Sequence, residues 1–359
     1  MSGSPSTYES TAELVAEFDF DLPSELIAQE PLPERDGGRM LVVERATGRL
    51  THSVVRALPD FLDEGDLLVG NNSRVFSARL KGRKAETGGR VELLLLHPLK
   101  VDRWRALARP VRRLAIGQKI LVAPRFDTAI TDLTVVIVAI AAGGEVDVEV
   151  PADLLSRLAQ YGELPLPPYI KTALRDEDRY QTLFAKETGS AAAPTAGLHI
   201  TREMRHQLRV KGIEWAEVTL HVGLDTFRPP TVQRIADHVI HREWCRVPAA
   251  TGMAVASAKE ADRRVVALGT TTARTLETFG AIWNPTAPSA MEMESSLFIL
   301  PGYRWRLVDG LLTNFHLPRS TLLMMVSAFA GQELVRRAYA EAIERQYRFY
   351  SFGDAMLII

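Results

Sequence analysis

The chain has 359 residues, 46% hydrophobic and 24% charged, with 43 Lys and Arg against 44 Asp and Glu for a formal net charge of −1. No run approaches the roughly 18 uninterrupted apolar residues of a membrane span, and the start, MSGSPSTYESTAELVAEF, lacks the basic lead and apolar core of an export signal. The single cysteine, Cys245, excludes an internal disulfide, is a poor start for a zinc site and fits a reducing cytoplasm.

The small net charge hides an asymmetry. Between Gly70 and Phe126 fourteen Lys and Arg face three acids, so the remainder is acidic by a similar amount. A basic module on an acidic body is a nucleic-acid signal, although the solvated surface of a small β domain would have the same composition. The length favours one large and one smaller domain.

Residues 1–17 are expected to be a disordered lead-in. SELIAQ, with Pro23 near its start and Pro31 beyond its end, predicts a short helix. Residues 39–45 form a strand, Gly48 a turn and 50–55 the return strand; VRALPDFLDEGD reads as a helix and DLLVGNN as a strand. Six short β runs follow with no helix between them, from VFSARLKG to EVDVEV. They predict an inserted small all-β barrel over 72–150, with alternate Lys and Arg outward. DLLSRLAQYG and DEDRYQTLFAKE are then expected to be helical, the second with Asp176 or Asp178 near its N-terminus. From about 185 onward strands and helices alternate, with helices over 201–211, TTTARTLETF, TLLMMVSAFA and 331–346. The fold class is therefore α/β, an α/β-barrel-like large domain of 18–71 and 151–359 with largely parallel strands.

Four strand ends in the large domain carry specific polar residues: SAAAPTAGLHI with Thr195 and His199, TLHVGLDTF with His221 and Asp225, GTTTAR with Thr270, Thr271, Thr272 and Arg274, and TNFHLPRST with Asn314, His316 and Ser320. Ligands of parallel α/β folds sit at the carboxyl ends of strands, so one pocket would explain all four. Ala191, Ala192, Ala193 and Gly197 would let another body approach the backbone. In GTTTAR the free N–H groups of a helix start favour an anion, and Arg274 could clamp a carboxylate or phosphate. Ordinary N-capping by one threonine is the competing explanation there, as it is for Ser320. The histidines could equally be satisfied by backbone carbonyls. DHVIHRE brings His238, His241 and Glu243 together, but it lacks a helical zinc motif. Acid–base work or ribose-hydroxyl binding is expected there, and no metal. No GxSxG, GxxxxGK[ST] or GxGxxG follows a strand, which argues against serine hydrolases, P-loop enzymes and dinucleotide binding.

YGELPLPPYIK, DRYQTLFAKETGSAAAPTAGLH, VTLHVGLDTF, DHVIHREW, GTTTARTLE, TNFHLPRSTLLMMVSAFAG and YRFYSFGDAMLI, in that order, resemble the S-adenosylmethionine:tRNA ribosyltransferase-isomerase family of queuosine biosynthesis. The resemblance runs from about Phe18 to the C-terminus. It implies transfer of the ribosyl part of S-adenosylmethionine onto 7-aminomethyl-7-deazaguanine at the wobble position of a tRNA with a GUN anticodon. The product would be epoxyqueuosine-tRNA, with adenine and methionine released. S-adenosylmethionine would be the ribosyl-donating substrate, and the enzyme cytoplasmic, free of the membrane and monomeric.

A sulfonium acidifies the adjacent 5′ carbon, so His221 or His199 could serve as general base. The methionine carboxylate would suit Thr270, Thr271 and Thr272 with Arg274, and Asp225 or Glu243 could stabilise the sulfonium or hold ribose hydroxyls. Thr195, Gly197, His238, His241, Asn314 and His316 complete the expected substrate pocket. Lys84, Arg112 and Arg113 of the basic module, with Lys171, Arg179, Lys186 and Arg319, are the expected tRNA contacts. Three positions depart from the family pattern: Gly70 in place of an aromatic residue, Ile200 in place of Phe and Asp225 in place of glycine. They motivate the alternative of a divergent paralogue with another acceptor. A non-catalytic RNA-binding protein is the reading from a different class.

Overall fold

The hydrophobic runs RMLVV and LLVGN form β1 (Arg39–Val43) and β3 (Leu67–Asn71), with β2 (Leu50–Val54) as the hairpin return of β1. The computed structural model describes residues 12–125, 133–141, 144–172, 174, 176–223, 229–285 and 289–359. It divides into a larger unit (Met1–Arg74, Pro167–Glu187 and Ala193–Ile359) and a smaller one (Val75–Leu166 and Thr188–Ala192). β4 (Ser73–Val75) lies where the chain passes from the first into the second.

In the smaller unit the alternating runs become β5 (Arg79–Lys84), β6 (Arg90–Lys100), β7 (Arg103–Arg109), β8 (Lys119–Val122), β9 (Leu133–Ile140) and β10 (Glu145–Glu149). They pair antiparallel in the order β5-β6-β7-β10-β9-β8, and β8 returns to β5, closing a six-stranded barrel. Trp104, Ala106 and Ala108 of β7 and Val146 and Val148 of β10 point inward, while the intervening charged residues face out. Gly82 belongs to both ladders at the closure, and a Cβ there would lie 2.6 Å from the Leu121 carbonyl oxygen. The smaller unit extends past the expected limit of 150, because α1 (Leu154–Tyr161) leads into β11 (Gly162–Glu163), which pairs with β5.

The chain continues through β12 (Glu187–Ser190), α2 (Arg202–Val210), β13 (Glu214–Leu220), β14 (Glu243–Val247), α3 (Ala249–Glu260), β15 (Val265–Leu268), α4 (Thr270–Gly280) and β16 (Met291–Ser295). β17 (Gly310–Asn314), α5 (Thr321–Ala330), α6 (Gln332–Glu344) and β18 (Ala355–Ile358) complete it. The larger unit's sheet has nine strands in the order β16-β14-β13-β3-β15-β17-β18-β1-β2. Its centre, β13-β3-β15-β17, is parallel, as expected, and β3, β15 and β17 are buried throughout. The sheet as a whole is mixed, since β1–β2, β13–β14, β14–β16 and β17–β18 are antiparallel. The edge strands β2 and β16 expose alternate or central residues, a one-sided burial that antiparallel strands tolerate. Met40, Leu68, Val266, Leu312 and Leu357 of the sheet pack with Ile200, Met204 and Leu208 in one core.

Three expected helices are only 3₁₀ turns: Ser24–Leu26, Val55–Phe61 and Glu177–Tyr180. Tertiary contacts outcompete helix propensity at the first and third, and a proline does so at the second. Beyond Ser24–Leu26 the backbone pairs with Phe349, through Phe349 N to Leu26 O at 2.8 Å and Ala28 N to Phe349 O at 3.1 Å. Pro59 interrupts the second turn. In the third, Asp176 caps by accepting from Asp178 N at 3.0 Å, and burial of Tyr180 and Phe184 takes the chain away. The lead-in is shorter than expected: Ala12, Val15 and Phe18 are buried, and Val15 N donates to Gln233 O at 3.0 Å.

Candidate functional site

Three of the four polar strand ends meet. Residues 193–196, 269–271 and 313–316, with Val222, Leu322, Tyr350 and Ser351, line one cleft in the larger unit. At β15 the turn is made by Gly269, whose φ of +94° suits glycine and begins α4 without a side-chain cap. The first N–H groups of α4 therefore lie beside the cleft uncapped, with a partial positive charge. Tyr350, another wall residue, holds φ +74°, a conformation rare outside glycine that recurs at functional sites.

Two of the cleft hydroxyls, those of Thr271 and Thr195, have opposite polarity. Asn71, at the end of β3, donates from Nδ2 to Thr271 Oγ1 at 3.3 Å and to Leu220 O at 3.0 Å, and its Oδ1 accepts from Leu220 N and Ser73 N. Thr271 thus accepts from Asn71 and keeps its own hydrogen to donate. Thr195 Oγ1 instead donates to Asn314 Oδ1 at 3.0 Å, while Asn314 Nδ2 contacts His199 Nε2 at 3.2 Å. Thr272 turns inward and bonds Leu268 O at 2.8 Å, so it belongs to the core and not to the cleft.

The histidines separate by environment. His199 is buried with both nitrogens engaged, Nδ1 to Arg35 O at 3.3 Å and Nε2 to Asn314; burial lowers its pKa. That geometry suits an orienting group and not the expected general base. His316 lines the cleft with Nε2 3.0 Å from Thr313 Oγ1, and burial pushes its pKa down to about 3. His221 stacks on Trp244 with centroids 4.8 Å apart; its Nδ1 is buried with no hydrogen-bond partner among the described residues. Burial lowers its pKa as well, so it is held neutral, and its neighbour Val222 is the part of that strand end that reaches the cleft.

Arg274 is not a free clamp. It is buried in an ion pair, Nη1 donating to Glu243 Oε2 at 2.5 Å, with Nη2 donating to His241 O at 2.8 Å and Ser295 O at 2.9 Å. Glu243 Oε1 accepts from Gly223 N at 2.8 Å, so this carboxylate too is committed to structure and is not open to a sulfonium or ribose. His238 and His241 line a second depression with Arg274 and Phe298, which shares Leu322 with the cleft. Burial lowers the pKa of His238, which packs edge-on to Phe298. Among the described residues no group of three or more His, Cys, Asp or Glu is placed to hold a metal ion. Asp225 lies outside the described residues.

Gly197 makes no room for a ligand. A Cβ there would meet Thr182 Cγ2 at 2.8 Å and Phe184 Cζ at 2.9 Å. Of the three alanines only Ala193 reaches the cleft; Ala191 and Ala192 fall in the smaller unit. Two of the three departures from the family pattern are core positions. Gly70 faces Phe184 and Trp215, whose edge-on pair fills the space, and Ile200 is in the core beside Met204 and Leu208. Ser320 is the N-cap of α5, accepting from Leu323 N at 3.2 Å.

The expected RNA contacts also divide. Arg112 and Arg113 are exposed in the turn Val111–Arg113, and Lys84 Nζ bonds the Arg113 carbonyl. On the same barrel Arg83 and Arg90 face each other across the β5–β6 ladder, a like-charge pair that a bound anion would relieve. Lys171 is exposed. Three others have structural partners: Arg179 donates to Leu32 O and Pro33 O, Lys186 pairs with Glu217 at 2.8 Å, and Arg319 pairs with Asp19. Sequence reasoning missed Asn71, Thr313, Tyr350 and Ser351. The polar doublet Asn71-Asn72 closing an apolar strand was the one local signal, and the others enter only through folding.

The family model for "Queuosine biosynthesis protein" matches residues 15–358. A protein of Heliobacterium modesticaldum named S-adenosylmethionine:tRNA ribosyltransferase-isomerase is 48% identical over 353 residues, covering 96% of this chain and 99% of its own. One of Staphylococcus haemolyticus with the same name is 46% identical over 346 residues, with the same coverage. The crystal structure of S-adenosylmethionine tRNA ribosyltransferase from Thermotoga maritima is similar with a TM-score of 0.54 at 37% identity, over 96% of this chain and 100% of that one.

Proposed function

The chain belongs to the queuosine biosynthesis protein family, and from that premise we propose that it transfers and isomerises the ribosyl part of S-adenosylmethionine onto tRNA. It is a transferase-isomerase, with S-adenosylmethionine and tRNA as substrates. In this reading the acceptor is 7-aminomethyl-7-deazaguanine at the wobble position of a GUN anticodon, and adenine and methionine leave as epoxyqueuosine forms.

The observation that carries the site assignment is the convergence of three strand ends on one cleft, where Thr271 is left to donate and Thr195 to accept. The uncapped start of α4 and the Thr271 hydroxyl supply donors for the methionine carboxylate, in place of the committed Arg274. Thr195 and His316 face the nucleoside. Of the two histidines considered as general base, His221 keeps the role, because burial holds it neutral next to Val222 of the cleft wall whereas both nitrogens of His199 are engaged. A base there takes the C5′ proton acidified by the sulfonium. The electron pair forms a C4′–C5′ double bond as C4′–O4′ breaks, and the O4′ pair forms a carbonyl at C1′ as the C1′–N9 bond breaks and adenine leaves with a proton. The exposed cations of the barrel attract the tRNA backbone.

No helix among the described residues is long and apolar enough to cross a membrane. We place the enzyme in the cytoplasm as a monomer. Incubation with S-adenosylmethionine and tRNA bearing the aminomethyl base, followed by chromatography, tests the reading. Adenine released in proportion to modified tRNA is expected, and no release at saturating substrates would overturn it.

A further inference from the structure

A chain of four groups runs from the backbone of the larger unit into the cleft: Arg35 C=O, the His199 imidazole, the Asn314 amide and the Thr195 hydroxyl. Elementary hydrogen-bond chemistry fixes its direction. A carbonyl oxygen only accepts, so the His199 nitrogen facing Arg35, Nδ1, must carry the hydrogen. A neutral imidazole has one N–H, so Nε2 is then an acceptor. Asn314 must present its NH₂ to Nε2, which turns its Oδ1 to Thr195, and Thr195 must donate to it. The lone pairs of Thr195 Oγ1 are what remain for the cleft.

The reverse orientation would need hydrogens on both His199 nitrogens. Its charged surroundings do not supply that. Asp354 is the carboxylate whose charge acts on the ring, and its oxygens are taken by Arg39 N and Nε and by Arg348 N; Arg348 and Arg35 oppose a second proton. Burial of the ring acts in the same sense.

We infer that His199 is a positioning residue that locks the Asn314 amide, so that Thr195 presents a hydrogen-bond acceptor to an N–H or O–H donor of the nucleoside substrate. Across the cleft Thr271 presents a donor, for the opposite reason: it accepts from Asn71. The site thus has a built polarity, with acceptor character at residue 195 and donor character at the start of α4. A substrate with an amine or hydroxyl at one end and a carboxylate at the other is favoured in one orientation by these two groups.

The inference rests on the S-adenosylmethionine reading of the cleft, and its test separates the two. In the ligand-free protein, ¹⁵N NMR of labelled histidine should find His199 as the Nδ1–H tautomer with Nε2 unprotonated. Asn314→Asp should convert it to imidazolium near neutral pH, because a carboxylate at 314 can only accept. An Nε2–H tautomer in the wild type, or no change in Asn314→Asp, would overturn the relay.

Calorimetry with S-adenosylmethionine alone then tests its purpose. Thr195→Val and His199→Leu should each weaken binding about five- to tenfold, and the double variant no further, since both remove one acceptor. Additive losses would overturn the positioning role. If His199→Leu does not fold, Asn314→Leu paired with Thr195→Val makes the same cycle. Failure of the wild type to bind S-adenosylmethionine would remove the nucleoside reading and with it the role of Thr195, whatever the tautomer.

Discussion

Arg274 in the larger unit and Arg112 and Arg113 on the barrel carry the same charge in opposite settings. Arg274 is buried, with Nη1 paired to Glu243 and Nη2 bonded to two carbonyls, so its guanidinium tips are committed to structure. Arg112 and Arg113 are exposed on a unit with an excess of cations. The larger unit uses charge to hold loops and strand ends around a cleft. The barrel holds charge ready for a polyanion, where attraction is long-ranged and screened by salt. A positive residue next to a site is therefore a poor guide to ligand binding until its partners are known.

The sharpest break with this contrast would come from Arg274→Ala. It leaves the Glu243 carboxylate buried without its cation, and a loss of about 3–5 kcal/mol in denaturant unfolding is expected, with little dependence on salt. Arg105→Ala on the barrel, which removes half-buried pairs with Glu145 and Asp147, should cost about 1 kcal/mol or less. A stable Arg274→Ala protein with impaired S-adenosylmethionine binding would restore the anion-clamp role.

Gly197→Ala comes next. Its Cβ would press on Thr182 and Phe184, so a loss of about 1–3 kcal/mol in the same unfolding assay is expected, with the affinity of the folded protein for S-adenosylmethionine retained. Weakened affinity at unchanged stability would return Gly197 to the cleft wall.

Acid sharpens the comparison further. Burial depresses the pKa of His316 to about 3, and that of His199 in the same direction, from the ordinary histidine value of 6.5. Between those limits the unfolded chain binds protons that the folded chain refuses, so stability is full above pH 6.5 and is lost as pH falls. The slope approaches about 1.4 kcal/mol per pH unit from His316, and His199 adds to it in the same direction. Unfolding midpoints at about pH 7, 5.5 and 4.5 span the window in which the unfolded histidines gain protons, and His316→Gln should flatten the profile. A wild-type profile flat over that range would mean that the histidines are not held neutral.

The barrel should give the smallest change in stability. Replacing Lys84, Arg112 and Arg113 by Ala should leave unfolding within about 0.5 kcal/mol of wild type. The slope of log tRNA affinity against log salt should shrink by about 0.7 to 0.9 for every phosphate that the variant leaves unneutralised. An unchanged slope would place the tRNA-binding surface elsewhere.

The legible parts of the molecule are those written in local pattern. Six alternating runs with Gly and Pro between them announce the barrel, and the apolar runs at β3, β15 and β17 the buried parallel centre. Two polar strand ends share the cleft because β15 and β17 are parallel and bring their carboxyl ends to the same side, whereas residues 193–196 follow β12, which is not a strand of that sheet, and reach the cleft through folding. What stays hidden depends on partners far apart in the chain. Nothing local to GTTTAR says that Glu243 already occupies Arg274, or that Arg35 and Asn314 take both nitrogens of His199. Asn71 joins the cleft from about 200 residues before Thr271. The bare stretch 190–200 misleads in part for the same reason: glycine at 197 makes room for Phe184, which the sequence places thirteen positions earlier.

A crystal structure with S-adenosylmethionine, or an analogue that cannot lose adenine, tests the central claim most directly. The nucleoside is predicted to lie among residues 193–196, 269–271 and 313–316, with its carboxylate at the start of α4 and an N–H or O–H donor on Thr195 Oγ1. A ligand bound away from those three strand ends, or one whose carboxylate displaces Glu243 from Arg274, would contradict it.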